Sequence, residues 1–173
     1  MPSRPPLDPE RELGLGTRAV HPPRPSPQDG DPVAPVLDPS STYSFDTADS
    51  FAKASEEKVG AGYVYTRWAN PTIDAFEAAV ADLEGAEEAE AFASGMAAIT
   101  TALLTACSAG DRIVAARQLY GGTFAILTQT LPRYGIEATL VDVHDHAGIE
   151  AALDGAALLY CETIGNPRIE VAD

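Results

Sequence analysis

Ala156-Ala157-Leu158-Leu159-Tyr160-Cys161-Glu162-Thr163-Ile164-Gly165-Asn166-Pro167 is the stretch whose reading decides the fold. Its first half is continuously apolar, without the alternation of a half-solvated strand. That pattern predicts a strong apolar strand over residues 156–161. A carboxylate and an amide follow at once, in a segment punctuated by Gly165 and Pro167. Strands alternating with helices over short connections are the mark of a parallel sheet covered by helices, and the segments upstream are read for that alternation.

Working back toward the N-terminus, that alternation is present. Residues 147–153 read as a short helix, 137–143 as a strand, and 122–131 as a helix ended near Pro132. Arg112–Ala116 reads as a strand, Gly95–Ala106 as a mostly apolar, buried helix, and 89–93 as a short strand. Residues 72–84 carry Ile73, Phe76, Val80 and Leu83 at helical spacing, with Thr72 as a candidate N-cap and Gly85 as the stop. The expectation is an α/β fold with a mostly parallel sheet, and no internal repeat is found.

Before Asn70 the texture changes. Eleven of the fourteen prolines fall within residues 1–39, a composition that can hold neither a helix nor a central strand. Residues 1–30 are expected to be disordered or an extended arm. Ser40-Ser41-Thr42-Tyr43 and Phe45 are suited to anchoring such an arm, and 46–58 reads as a short helix. The expected division is an arm over 1–62 and a domain over 63–173.

The 173 residues suffice for one domain with a proper core, and 11 basic against 26 acidic residues give a net charge of −15. That balance argues against nucleic acid or an anionic membrane as partner, because both need a basic face. No run of ~18 apolar residues and no apolar signal core is present, so neither membrane spanning nor secretion is expected. Cys107 and Cys161 lie in apolar runs without metal-ligand spacing, which fits a reduced, cytoplasmic setting. Cys161 reads as core.

Four short segments carry the candidate chemistry. Tyr65-Thr66-Arg67-Trp68-Ala69-Asn70-Pro71-Thr72 places a phenol and a guanidinium, both suited to a phosphate, just ahead of a helix start. Ser94-Gly95-Met96-Ala97-Ala98 follows a strand candidate and opens a helix, where unpaired N–H groups at a positive dipole end make a phosphate cradle; a plain Ser N-cap is the competing reading. Tyr120-Gly121-Gly122-Thr123 offers a ring to stack on and room for a flat ligand, or else an ordinary turn. Glu162 and Asn166 stand on the rim beyond the last strand. Together these demands suit an aromatic cofactor bearing one phosphate, better than a dinucleotide, since no G-x-G-x-x-G opens the first strand–helix turn.

Other clusters read more simply. Asp142, His144, Asp145 and His146 form a polar turn rather than a metal site, and no metal is expected. Ser94 has no His–Asp pair at recognisable spacing, which argues against a hydrolase.

Tyr65-x-Arg67-x-x-Asn70-Pro71-Thr72, Ala93-Ser94-Gly95-Met96-Ala97-Ala98, Tyr120-Gly121-Gly122-Thr123 and Glu162-Thr163-x-x-Asn166-Pro167 together resemble the Cys/Met-metabolism enzymes, the pyridoxal-phosphate-dependent trans-sulfuration family. The resemblance covers about residues 17–173 and opens with Thr17-Arg18-Ala19-Val20-His21. It implies the front part of the aspartate-aminotransferase-like (type I) fold, with 63–173 as an incomplete cofactor-binding large domain. It implies pyridoxal 5′-phosphate as cofactor and an amino acid as substrate.

The resemblance also implies roles. Tyr65 and Arg67 would reach across a dimer interface to the cofactor phosphate of a neighbouring subunit, while Ser94, Gly95 and Met96 bind it in their own. Tyr120 would stack on the pyridine ring and act on the substrate amine, as the catalytic residue. Asn166 would lie near the 3′-oxygen, with Glu162 supporting the rim. A homodimer or tetramer is implied, with cystathionine γ-synthase-like γ-replacement or γ-elimination on sulfur amino acids or acyl-homoserine. Lys53 and Lys58 are the only lysines and precede these motifs, whereas the family's cofactor-bearing lysine lies downstream. The expectation is an N-terminal portion inactive alone; a non-catalytic dimerisation or ligand-binding remnant, or a truncated reading frame, is the alternative.

Overall fold

A computed structural model describes residues 13–21, 23, 34–56 and 62–172. The chain divides into two compact units, Met1–Ala91 and Phe92–Asp173, each built around its own contacts.

The first unit holds α1 (Leu15–Val20), α2 (Ala48–Glu56) and α3 (Pro71–Glu84). Within the span expected to be disordered or extended, Leu15–Val20 instead forms one short helix, which Arg18 ties to Asp82 of α3 at 2.8 Å. The rest of residues 1–30, apart from residues 13, 14, 21 and 23, lies outside the described residues, as does Lys58. The expected helix over 46–58 is found as α2; Thr47 Oγ1 accepts from the Ser50 N–H at its start.

α3 ends as read, on Gly85 in the left-handed region at φ 68°. Its start differs. Asn70, extended at φ −151°, is the N-cap and accepts from the Thr72 N–H, while Pro71 fills the first helical position, where a missing N–H costs nothing. Thr72 is therefore inside the helix, and its hydroxyl binds the 36–38 segment instead.

The strand expected over 89–93 does not form. These residues are unladdered, and the Ala91 N–H goes to the Glu77 carboxylate at 2.7 Å. A strand exists only through a neighbour's hydrogen bonds, and none among the described residues supplies them.

The second unit holds α4 (Gly95–Ala106), β1 (Arg112–Ala116), α5 (Gly121–Ala125), β2 (Glu137–Val141), α6 (His146–Leu153) and β3 (Leu158–Tyr160). The sheet has three strands in the order β2-β1-β3, with β1 parallel to both neighbours. Ile113 to Ala116 of β1 are buried, and β1 joins Leu103, Cys107, Leu119, Leu127, Leu131, Ile136 and Val143 in one core. The outer strands are shorter than the spans read for them. Ladder pairing with β2 stops where Val141 meets Ala116, and β3 pairs over only Leu158 to Tyr160. Cys161 is consequently exposed, not core.

The helix read over 122–131 is a composite. α5 passes into a π-helical turn, Ile126–Thr130, then a 3-10 turn, Leu131–Tyr134, which ends on Gly135 at φ 75°. Pro132 sits inside that last turn, because a proline cannot donate to an α-helical carbonyl and the chain must tighten there. α4 forms as read, but only Leu103 is fully buried and Leu104 is 49% exposed. Its residues are mostly apolar, but Leu103 alone is buried in the core, with Ile99 packed against it. Among the described residues, no helix is long and apolar enough to cross a membrane.

The two free thiols differ in a testable way. Cys107 is buried between α4 and β1, and desolvation, aided by the Asp111 charge, pushes its pKa up. Alkylation of the native chain at mildly alkaline pH should modify Cys161 alone, with Cys107 reacting only after denaturation; mass spectrometry reads both.

Candidate functional site

The Tyr65–Arg67 pair belongs to the first unit. Tyr65 bridges antiparallel to Thr42, Tyr43 N–H donates to the Val64 carbonyl, and Thr66 N–H donates to the Ser41 carbonyl. The chain then turns, with the N–H groups of Trp68 and Ala69 both directed at the Tyr65 carbonyl. Tyr65 and Arg67 emerge on the exposed side, the guanidinium carbon 5.4 Å from the centre of the Tyr65 ring. That stacking aligns the guanidinium without consuming its donors. Beside it lies an open cleft of about 520 Å³ lined by Ala54, Ser55, Tyr63, Val64, Arg67 and Trp68, among others.

The remaining site residues belong to the second unit, beyond the carboxyl ends of its parallel strands, where α/β sheets bind ligands. Ser94 caps α4, accepting from Ala97 N–H at 3.2 Å, and its carbonyl takes the Ala98 N–H. Among the described residues the N–H groups of Gly95 and Met96 have no acceptor, at the positive end of the helix. A Cβ on Gly95 would have nothing within 4 Å, so the space outside this turn is free. The two readings of Ser94 are thus compatible: its oxygen accepts from the helix while its proton is free to donate to an anion.

Tyr120 follows the β1 end and is the N-cap of α5. Its ring lies across Gly122 beside Met96: a Cβ on Gly122 would fall 2.6 Å from Tyr120 Cε1 and 3.0 Å from Met96 Sδ. The fold therefore brings the α4 N-terminus and the Tyr120 ring together over one glycine. The ring is half exposed, and free to cover a flat group.

Glu162 follows β3, but both its oxygens are engaged within the chain. Oε2 accepts from Tyr120 N–H at 3.0 Å and Oε1 from the Thr123 hydroxyl at 3.3 Å. Thr123 is completely buried. Nearby, the Tyr160 hydroxyl has its pKa raised by desolvation and then by the Glu162 charge. Glu162 acts through Tyr120, tying the β3 end to the start of α5. In the sequence Thr123 stands within the Tyr120–Thr123 motif without a role of its own, and Tyr160 reads only as part of a strand.

Asn166 lies in a loop closed by the Ile164–Val171 bridge and by Gly165 N–H on the Glu170 carbonyl at 2.7 Å. Gly165 packs so tightly that a Cβ would sit 2.8 Å from Gln118 Cβ, which seats this loop on the segment leading to Tyr120. The Asn166 side chain is exposed and has no hydrogen-bond partner among the described residues. The Asp142–His146 turn is occupied locally: Asp142 accepts from His144 N–H, which lowers its pKa, and Asp145 caps α6 through Gly148 N–H.

This donor set fits one phosphate and one flat ring. Open backbone donors at a helix start suit the first, and Tyr120 over Gly122 suits the second.

Residues 16–173 match the family described as Cys/Met metabolism PLP-dependent enzyme. The chain belongs to that family. It is 42% identical over 163 residues to an L-methionine gamma-lyase of Porphyromonas gingivalis, covering 92% of this chain and 40% of that relative. Its fold matches a candidate O-acetylhomoserine (thiol)-lyase of Campylobacter jejuni carrying N′-pyridoxyl-lysine-5′-monophosphate, with TM-score 0.81, 29% identity, and coverage of 94% of this chain and 40% of that one. It also matches a Lactobacillus plantarum cystathionine gamma-lyase complexed with L-serine, with TM-score 0.76, 31% identity, and coverage of 92% and 39%. The chain thus spans about 40% of the length of these relatives, and the fold is the front part of the type I pyridoxal-phosphate architecture.

Gly122→Ala tests the central contact. The Tyr120 ring is the flexible partner and would swing away, so the melting temperature should move by no more than a few degrees. NMR contacts between the Tyr120 ring and the Met96 side chain should vanish; their survival would show that Gly122 does not set the ring.

Proposed function

We propose that this chain supplies the phosphate-gripping and ring-stacking part of a pyridoxal 5′-phosphate site in a trans-sulfuration enzyme. The observation that carries this reading is the pairing of open Gly95 and Met96 N–H groups with the Tyr120 ring over Gly122. When bound, the cofactor supplies an electron sink for carbanion chemistry at an amino acid.

The chain's own residues divide the work. Ser94, Gly95 and Met96 bind the phosphate through the α4 N-terminus. Tyr120 covers the ring and orients the substrate amine, held in place by the Glu162 bond to its backbone. Asn166 donates to the edge of the ring from its loop. Tyr65 and Arg67 grip the phosphate of a neighbouring copy, which makes a homodimer the smallest complete unit and a tetramer a pair of them. In this arrangement residues 1–62 are an arm and 63–173 the start of the cofactor domain, in a cytoplasmic enzyme.

The substrate in this reading is a sulfur amino acid or an acyl-homoserine. The likeness to an L-methionine gamma-lyase favours γ-elimination, with cystathionine γ-synthase-like γ-replacement as the related alternative. Lys53 lies in the last turn of α2, in the first unit. Binding without turnover is accordingly the behaviour expected of these residues by themselves.

The test is calorimetric titration with pyridoxal phosphate. Wild-type chain should bind it, and inorganic phosphate should compete. Gly95→Glu, which adds a repelling carboxylate to the open turn while remaining favourable at a helix start, should abolish binding. Arg67→Ala should weaken it about tenfold. Mixing the two variants should restore a fraction of full-affinity sites, because a mixed dimer contains one intact pair. Absence of restoration would place Arg67 in service of its own copy, and absence of wild-type binding would end the cofactor reading.

A further inference from the structure

Asn70 is the only buried amide side chain among the described residues, at 3% exposure, and every polar atom of it is used. Its Oδ1 accepts from Thr72 N–H at 2.9 Å, and its carbonyl accepts from Asp74 N–H at 2.9 Å. Its Nδ2 faces three acceptors: the Asp38 carbonyl at 3.2 Å, the Tyr43 hydroxyl at 3.1 Å and Thr66 Oγ1 at 3.1 Å. Donor directions agree throughout. Tyr43 gives its proton to Asp38 Oδ2 at 3.2 Å, and Thr66 gives its own to the Ser40 carbonyl, so both hydroxyl oxygens are free to accept from the amide. Flipping the amide would set Oδ1 against a carbonyl and Nδ2 against an N–H.

A helix cap needs only the Oδ1, which Ser or Asp supplies about as well. The amide donors therefore serve something else. Their acceptors lie in the 38–43 strip and in Thr66, the residue between Tyr65 and Arg67. The strip is further fixed by Asp38 N–H on Thr72 Oγ1 at 2.8 Å, and by packing of the Tyr43 and Tyr63 rings with centres 5.6 Å apart. Pulling Thr66 inward forces its two neighbours outward, onto the face where the guanidinium stacks on the ring.

We infer that Asn70, braced by Asp38 and Tyr43, is the positioning residue that holds the Tyr65–Trp68 turn so that Tyr65 and Arg67 are presented together to a phosphate. This rests on the reading that Arg67 grips the cofactor phosphate. It assigns a purpose to the 38–43 strip: the strip is a strut for the clamp.

Three variants separate positioning from capping. Asn70→Asp keeps the cap and removes the donors, Asn70→Ser does so without adding charge beside Asp38 and Asp74, and Tyr43→Phe removes one acceptor outside the helix. In all three, circular dichroism should show α3 intact. Amide hydrogen exchange at Thr66, Trp68 and Ala69 should accelerate, by about tenfold or more in the Asn70 variants and less in Tyr43→Phe. Pyridoxal phosphate affinity should fall in the same order, toward the level of Arg67→Ala. Wild-type exchange in Asn70→Asp and Asn70→Ser would reduce Asn70 to a cap and overturn the inference. Faster exchange with unchanged affinity would overturn it too, provided Arg67→Ala still weakens binding. If Arg67→Ala has no effect, the phosphate reading itself fails, and the exchange rates alone decide whether Asn70 sets the turn.

Discussion

β1 is the constraint on which the second unit depends. Its Ile113 to Ala116 are buried, and both neighbouring strands run parallel to it in defined register. Parallel pairing forces all strand ends of one polarity to a single edge, so the segments leaving β1 and β3 must emerge side by side. Tyr120 comes from the first of these and Glu162 from the second. The 3.0 Å bond between them joins two segments that are distant in sequence and adjacent by topology.

That juxtaposition gives the site its rigidity. A carboxylate that accepts from a backbone N–H and from a buried hydroxyl is held by charge-assisted bonds, and it anchors whatever backbone it touches. Here the anchored backbone carries the ring that lies across Gly122 to Met96. The α4 N-terminus and the ring-bearing turn are thus set by packing rather than by loop flexibility, which is what a preorganised phosphate and ring site needs. The first unit solves the corresponding problem with polar groups, through one saturated amide at Asn70.

Several elements were legible in the sequence because they depend on local chemistry. β1 and α4 were read with correct bounds, and Gly85 was read as the α3 stop, since a left-handed terminal residue is a local demand. The readings that failed depend on partners. Residues 89–93 read as a strand but have no ladder; the strands read over 137–143 and 156–161 are longer than the pairing with β1, leaving Cys161 exposed. The composite helix after Tyr120 turns on where carbonyls find donors around Pro132, which spacing alone does not reveal.

The family was readable from the residues alone, because four short motifs in order specify it, and the same motifs named the candidate site residues. The sequence by itself also determined the parallel α/β class, since hydrophobic periodicity is a local property. The partners of Glu162, Thr123 and Asn70 emerge from the folded chain alone. Each of these three residues acts through groups tens of residues away, such as Tyr120 or Asp38, which only folding brings within hydrogen-bonding distance.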